Sequence, residues 1–249
     1  MLKQERYQII LEKLKVDKKV LSVKLSEELS VSEDTIRRDL KDLEAKDLIY
    51  KVYGGALLKE NRILSYDERS VSDIAEKKKI AKKAVNLICN GQVIIMSGSS
   101  TNLELAKIIP PKINATVYTY SLPIATQLSH HPSIEVIFIG GKLNKEAQVT
   151  VGIDLVNPIY NISADICFMG TDGIDISRGL TEPNWEVSRI KSSMIHASNY
   201  VVVMCISNRV NSVKRHSVVP IKEIDAIISD IDPGDEMFKE LKSIGLTVI

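Results

Sequence analysis

Six short runs of β-branched and apolar residues punctuate the last two thirds of this chain: QVIIM (92–96), TVYT (116–119), IEVIFI (134–139), ICFM (166–169), YVVVM (200–204) and AII (226–228). Helical stretches lie between most of them, as over 77–88 and 182–197. Few folds accept this pattern. Runs that are apolar on both faces must be covered on both faces, and covered strands alternating with helices build a mostly parallel sheet. In such a sheet a ligand sits beyond the carboxyl ends of the strands. The segments there are small or polar: Ser97-Gly98-Ser99-Ser100-Thr101, Tyr120-Ser121, Gly140-Gly141-Lys142, Gly170-Thr171-Asp172-Gly173 and Ile206-Ser207-Asn208-Arg209. The first opens a helix through Leu103, Leu105 and Ala106, and a Gly/Ser/Thr loop at a helix amino end offers N–H groups, hydroxyls and a positive dipole to an anion. Glycines at strand ends also simply make turns. Five such ends converging on one phosphorylated ligand is the more specific reading.

The first 58 residues follow a different period. Ile9, Ile10, Leu11 and Leu14 give one face of a first helix, and Val23, Leu25 and Leu29 a short second one that Ser22 is placed to cap. After the break Ser30-Val31-Ser32, Ser32 caps a third helix, with Glu33 and Asp34 in the first turn where the dipole favours acids. Ile36, Leu40 and Leu43 then face inward, which leaves Glu33, Thr35, Arg37 and Arg38 off the apolar stripe. Two helices joined by so tight a turn match a helix-turn-helix, whose second helix enters the major groove. Arginine grips guanine edges or phosphates bidentately. An Arg-Arg pair is also what an ordinary solvated face carries, paired here with Asp39 or Asp42. The next stretch, 48–53, reads as a strand, Gly54-Gly55 as its turn and Ala56-Leu57-Leu58 as its return. A hairpin directly after such a helix is a wing, which brings Lys51 and Tyr53 to phosphate or minor groove. The order of elements is more specific than any member, and it favours DNA.

The run LSVKLSEELSVSEDTIRRDLKDLEAKDLIYKVYGGAL (21–57) closely resembles the amino-terminal signature of the DeoR family of bacterial sugar-metabolism repressors, with TIRRDL and GGA as its specific elements. The resemblance continues through the rest of the chain; Tyr53 stands where the family often has histidine. It implies an α/β protein with a small N-terminal winged helix-turn-helix domain and a larger, mostly parallel α/β sensor domain resembling the ribose-5-phosphate isomerase fold, which in the family binds phosphorylated sugars. On that resemblance Ser99, Ser100 and Thr101 match the phosphate loop, Asp172 and Gly173 the mid-domain sugar loop, and Lys191 the basic residue of the following helix. Three segments depart from the family. A DSGTT-like loop is SGSST here, TNS is TYS with Tyr120, and a late DSSK reads CISNR, with Cys205 where an acid is common and Arg209 for the lysine.

The expected organisation is a DNA-binding domain over 1–58, a polar linker over 59–73 and a sensor domain over 74–249. DNA-contacting candidates are Ser22, Ser32, Glu33, Thr35, Arg37, Arg38, Lys51 and Tyr53. Effector-contacting candidates are Gly98, Ser99, Ser100, Thr101, Tyr120, Ser121, Gly140, Gly141, Lys142, Asp172, Gly173, Lys191 and Arg209. An isomerase would need a carboxylate and a cation around the moving proton; Asp172 and Lys191 fit those roles, but Ser97 and Cys205 stand where further acids are missing. An isomerase-like enzyme with an appended DNA-binding domain is therefore the alternative, and no catalysis and no cofactor are expected. Nor is a metal: side chains of the neighbours His130 and His131 diverge and a third ligand is not evident.

At 249 residues and a net charge of +1, bulk electrostatics gives DNA no attraction, so that partner rests on local arrangement. The start MLKQERYQII has no apolar core of signal-peptide length, and VIIM and VVVMCI are too short to span a bilayer, so no membrane partner is expected and the cytoplasm is. Three cysteines, Cys89, Cys167 and Cys205, read as reduced thiols without paired metal spacing. The sum is a regulator, most simply a repressor of a carbohydrate-utilisation operon, released from double-stranded operator DNA by a phosphorylated sugar and working as a homo-oligomer.

Overall fold

Ile36, Leu40 and Leu43 recur at helical spacing and are fully buried, so one face of their helix is committed to a core. The computed structural model describes residues 2–46, 48–58 and 65–249, in two units, Met1–Ile63 and Leu64–Ile249. The first unit contains α1 (Lys3–Asp17), β1 (Lys19–Leu21), α2 (Ser22–Glu28), α3 (Glu33–Ala45), β2 (Ile49–Val52) and β3 (Gly55–Leu58). Tyr7, Ile10, Leu14, Leu25, Leu29, Ile49 and Ala56 join the three α3 residues in one cluster. Ser32 caps α3 as expected, its side chain accepting from the Thr35 N–H at 3.2 Å. Ser22 does not cap α2. It is that helix's first residue, buried, with its N–H on the Gly54 carbonyl at 2.8 Å, and Leu21 holds the cap position.

The hairpin is part of a three-stranded antiparallel sheet in the order β1-β3-β2. The two glycines do different things. Gly54, at φ +79°, sits in the turn after Tyr53, whereas Gly55 already pairs in β3, where an added Cβ would lie 2.0 Å from the Val20 carbonyl oxygen of β1. An ion pair pins α1 to α3: Arg6 Nε and Nη2 donate to the two carboxylate oxygens of Asp39 at 2.6 and 3.1 Å, with 12% and 2% of the side chains exposed. Removing one partner of such a pair leaves a buried charge, which costs roughly 3–5 kcal/mol. Asp39→Ala is therefore expected to unfold the first unit at temperatures where the second stays folded. Differential scanning calorimetry of the full chain checks this; a single unchanged transition would contradict it.

The second unit begins with α4 (Tyr66–Val71) and α5 (Ile74–Ala84), followed by β4 (Val93–Met96), α6 (Ser100–Ile108), β5 (Ala115–Thr119), α7 (Leu122–Leu128) and β6 (Ile134–Phe138). Next come the hairpin β7 (Lys142–Asn144) and β8 (Val149–Val151), then α8 (Ile153–Tyr160) and β9 (Ile166–Gly170). The chain continues through β10 (Gly173–Asp175), β11 (Gly179–Glu182), α9 (Trp185–His196) and β12 (Val201–Met204). It ends with β13 (His216–Val219), β14 (Ala226–Ile228), α10 (Lys239–Ser243) and β15 (Thr247–Val248). Seven strands form one parallel sheet in the order β15-β14-β12-β9-β4-β5-β6.

Alternate residues of the central strands serve two cores. Ile94, Met96, Phe168 and Val202 pack with Ile80, Leu105 and Ile124 of α5, α6 and α7, while Ile95, Cys167, Met169 and Val203 pack with Leu155, Ile190 and Leu241 of α8, α9 and α10. All six expected strands are present, shifted by a residue or so; β15, only two residues long, and the β10-β11-β13 antiparallel sheet were not read from the sequence. The helix expected over 77–88 runs from Ile74 to Ala84, and that expected over 182–197 starts at Trp185, because Glu182 ends a strand.

The linker expectation needs correction. Its residues 59–64 lie outside the described residues, but from Ser65 the chain is built into the second unit. Ser65 and Glu68 form a capping box on α4, and the Tyr66 N–H donates to the Glu146 carbonyl at 2.7 Å. No helix among the described residues is long and apolar enough to cross a membrane.

Candidate functional site

From β4 the chain steps outward through β5 to β6, then returns to lay β9 on the other side of β4. The loops after β4 and β9 therefore leave in opposite directions and open a crevice at the carboxyl end of the sheet, the switch point where such folds bind ligands. A cleft lies there, lined by the loop Gly98–Thr101, by Gly170, Thr171 and Asp172, and by Arg69, Lys77, Lys191 and Arg209.

Buried polar groups fix the loop's shape. The Ser97 hydroxyl accepts from the Gly170 N–H at 2.8 Å, and the Asn102 amide donates to the Ser97 and Phe168 carbonyls, both at 2.8 Å. A Cβ at Gly170 would lie 2.3 Å from the Ser99 Cβ, and one at Gly98 2.3 Å from Val149 Cγ1. Ser99 caps α6 by accepting from the Asn102 N–H at 3.0 Å, which leaves the first-turn N–H groups of Ser100 and Thr101 without intrahelical acceptors. That is an anion's place.

Charge fills the rest of the cleft. Asp172, 17% exposed, has Arg69 Nη1 3.9 Å away. Burial opposes its ionisation, but Lys191, Arg69, Arg209 and Lys214 outweigh burial and hold its pKa below the usual value. Lys191 donates to Glu182 at 2.5 Å, both side chains about 5% exposed. Burial pulls the ammonium down, but Glu182, Tyr120 and Asp172 together hold it above its usual value, so it stays charged. Lys77, in the cleft wall, has its pKa lowered chiefly by burial, and its ammonium donates to the carbonyls of Arg69 and Ser72 at the end of α4.

Of the expected effector residues, the structure brings together Gly98, Ser99, Ser100, Thr101, Asp172, Lys191 and Arg209. Six lie elsewhere. Tyr120 and Ser121 are fully buried under Gly98, whose Cβ position would lie 3.6 Å from each, and both hydroxyls lack a hydrogen-bond partner among the described residues. Gly140 faces open space, Gly141 packs on Leu155, and Lys142 is exposed at the start of the β7–β8 hairpin. Gly173 begins β10, packed on Ser212. The sequence reading missed Arg69, Ser72, Asp73 and Lys77, which arrive from the stretch taken as linker and from α5; the overlooked signal was the capping box Ser65-x-x-Glu68.

On the first unit, Arg37 and Arg38 are 63% and 80% exposed and pair with Glu33 and Asp34 one turn back, at 3.2 and 2.8 Å. Neither pairs with Asp39 or Asp42, which hold Arg6 and Lys3 of α1. Pairs this exposed contribute roughly 0.3–0.5 kcal/mol, so both guanidinium groups are available to a stronger anion. Thr35 shares a 2.9 Å hydrogen bond with Ser32 at the amino end of α3. Lys51 is exposed on β2, and Tyr53 at the turn is fully exposed, an unusual setting for an aromatic ring with nothing to touch.

Residues 6–62 match the model of the DeoR-like helix-turn-helix domain, and residues 72–231 that of the DeoR C terminal sensor domain. The chain is 35% identical to the HTH-type transcriptional regulator GolR of Listeria innocua, over 98% of this chain and 97% of that one. It is 30% identical to the HTH-type transcriptional repressor GlcR of Bacillus subtilis, over 100% and 96%. It is 27% identical to the glycerol-3-phosphate regulon repressor of Escherichia coli, over 92% and 91%. A solved ribose 5-phosphate isomerase A from Methanocaldococcus jannaschii overlays 53% of this chain and 52% of its own with a TM-score of 0.40 at 17% identity, a likeness that decides nothing.

Proposed function

Since the chain belongs to the DeoR family of transcriptional regulators, we propose that it binds operator DNA through α3 and the β2–β3 wing and is released from it by a phosphorylated sugar held in the cleft between β4 and β9. Ser32, Glu33, Thr35, Arg37 and Arg38 meet the major groove, and Lys51 and Tyr53 the flanking backbone or minor groove. Ser22, buried beneath Gly54, takes no part. The controlled operon is one for carbohydrate use, in keeping with the relatives' names, which include a putative aga operon transcriptional repressor and a glycerol-3-phosphate regulon repressor. The protein acts in the cytoplasm as a homo-oligomer, because one head makes a small interface and a symmetric pair reads two half-sites.

The observation that carries the effector reading is the meeting of a helix amino end with four cationic side chains, Arg69, Lys77, Lys191 and Arg209, at the switch point. The loop N–H groups and the hydroxyls of Ser99, Ser100 and Thr101 take the phosphate, while ionised Asp172 accepts from sugar hydroxyls. Release follows if the ligand prefers the arrangement that does not bind DNA. Relatives carry regulators' names, so ligand occupancy here has a use other than isomerisation.

A phosphorylated sugar at a hundredfold excess over its dissociation constant is expected to stabilise the second unit by about 2.7 kcal/mol, or roughly 5–10 °C in melting temperature. It should leave the sample chemically unchanged. Scanning fluorimetry with pentose and hexose phosphates against the unphosphorylated sugars, followed by chromatography of the recovered ligand, checks both points. Turnover of the sugar phosphate would return the isomerase reading.

A further inference from the structure

Arg69 is a cation whose hydrogen-bonding capacity the protein itself leaves unspent. Its side chain is 19% exposed and its Nε is buried with no hydrogen-bond partner among the described residues. The carboxylate facing it, Asp172, is 3.9 Å from Nη1, beyond hydrogen-bond reach. On the same helix the Tyr66 hydroxyl is also buried, with no partner among the described residues, and burial pushes its pKa up to about 12, so it remains a donor. Buried donors without acceptors are uncommon in folded proteins, and for one that lines a cleft, as Arg69 does, an acceptor supplied by a ligand is a common reason. Arginine's planar fork matches the oxygens of a phosphate better than those of a neutral sugar.

Position gives this pairing a consequence. α4 packs against α6, whose amino end is the phosphate loop. It begins only two residues after the boundary between the two units. Polar contacts of its start and last turn include the Tyr66 N–H on the Glu146 carbonyl and the Lys77 ammonium on the carbonyls of Arg69 and Ser72. Lys77 itself lines the cleft. An anion at the amino end of α6 therefore meets both the guanidinium that α4 carries and the ammonium that holds α4's last turn.

We propose that Arg69 is an effector-binding residue that closes on the ligand's phosphate, so that occupancy fastens α4 to α6 and tightens the chain where it leaves the sensor unit toward the DNA-binding unit. This rests on the phosphorylated-sugar reading of the same cleft and adds to it a specific phosphate-binding residue and a point of transmission. Asp172, relieved of Arg69, is left to the sugar hydroxyls. The unphosphorylated sugar lacks the oxygens that recruit Arg69 and leaves α4 as it was.

The test uses the full chain with four probes: inorganic phosphate, ribose 5-phosphate, glucose 6-phosphate and glucose. Amide hydrogen exchange over 65–73 in the wild type is expected to slow at least tenfold at saturation with whichever sugar phosphate binds, and not with glucose. In calorimetry Arg69→Gln should weaken that sugar phosphate at least tenfold, and Arg69→Lys, which keeps the charge but loses the fork, by less. If the wild type binds a sugar phosphate while exchange over 65–73 is unaltered, or if Arg69→Gln binds it with wild-type affinity, the role of Arg69 is overturned and the cleft reading stands. If no phosphorylated probe changes the wild type by either method, the cleft reading is overturned and the role of Arg69 with it. Because the exchange experiment needs no variant, a substitution that fails to fold does not blunt it.

Discussion

Ser100→Glu gives a chain that stays on its operator however much sugar phosphate is added. Ser100 is the first residue of α6 and is 7% exposed, inside the turn whose free N–H groups face the cleft. A carboxylate there suits the helix dipole, so α6 is not weakened. It takes the ligand's place instead, meeting the incoming phosphate with like charge and added bulk. Coupling between sites is reciprocal, and a chain that cannot hold the ligand loses the ligand-driven part of the cycle. An operator-release titration by fluorescence anisotropy, wild type against variant, shows the difference. Release at the wild-type concentration of sugar phosphate would reduce Ser99–Thr101 to a turn, and release with no ligand at all would show the carboxylate acting as a mimic.

The second large effect is on DNA. Replacing Arg37 and Arg38 together by alanine is expected to lower operator affinity at least roughly thirtyfold, since each bidentate base contact contributes about 1–3 kcal/mol. The fold survives, because both side chains are mostly exposed and their pairs with Glu33 and Asp34 are worth little. The single variants separate two roles. An arginine on a base edge relaxes sequence preference when lost, whereas one on a phosphate weakens all sequences alike and lowers the salt slope by about one. Gel-shift titrations at two salt concentrations, on operator and scrambled duplexes, distinguish these. Unchanged affinity in the double variant would remove α3 from the recognition surface.

What the sequence disclosed follows the strength of its periodic signals. The six runs from QVIIM to AII were readable because strands buried on both faces are apolar throughout, and the structure duly splits Ile94 and Ile95 between two cores. α3 was readable from Ser32 to Leu43 because cap and stripe agree. β1 was not: three residues alternating exposed, buried, exposed carry no period, and the strand exists only because Gly55 lets β3 approach Val20. α4 was hidden for the opposite reason. Its sequence, YDERSV, is almost wholly polar, burying Tyr66 and sending Arg69 to a charged cleft, so hydrophobic periodicity has little to report. The same blindness misplaced Gly140, Gly141 and Lys142. Glycines after a strand announce a change of direction, and here the chain turns into the β7–β8 hairpin, none of whose strand residues lines the cleft.

The cleft separates the residues that shape the loop from those that face its contents. Ser97, Asn102, Gly98 and Gly170 set the path of the backbone through contacts made inside the protein, and none of those contacts involves the side chains of Ser100, Thr101, Asp172 or Arg209. The second group can be exchanged without redrawing the first. A lineage can thus drift from one sugar to another by altering a few cleft-facing positions while the architecture beneath them is inherited intact, which is the condition for one scaffold to supply sensors for many nutrients.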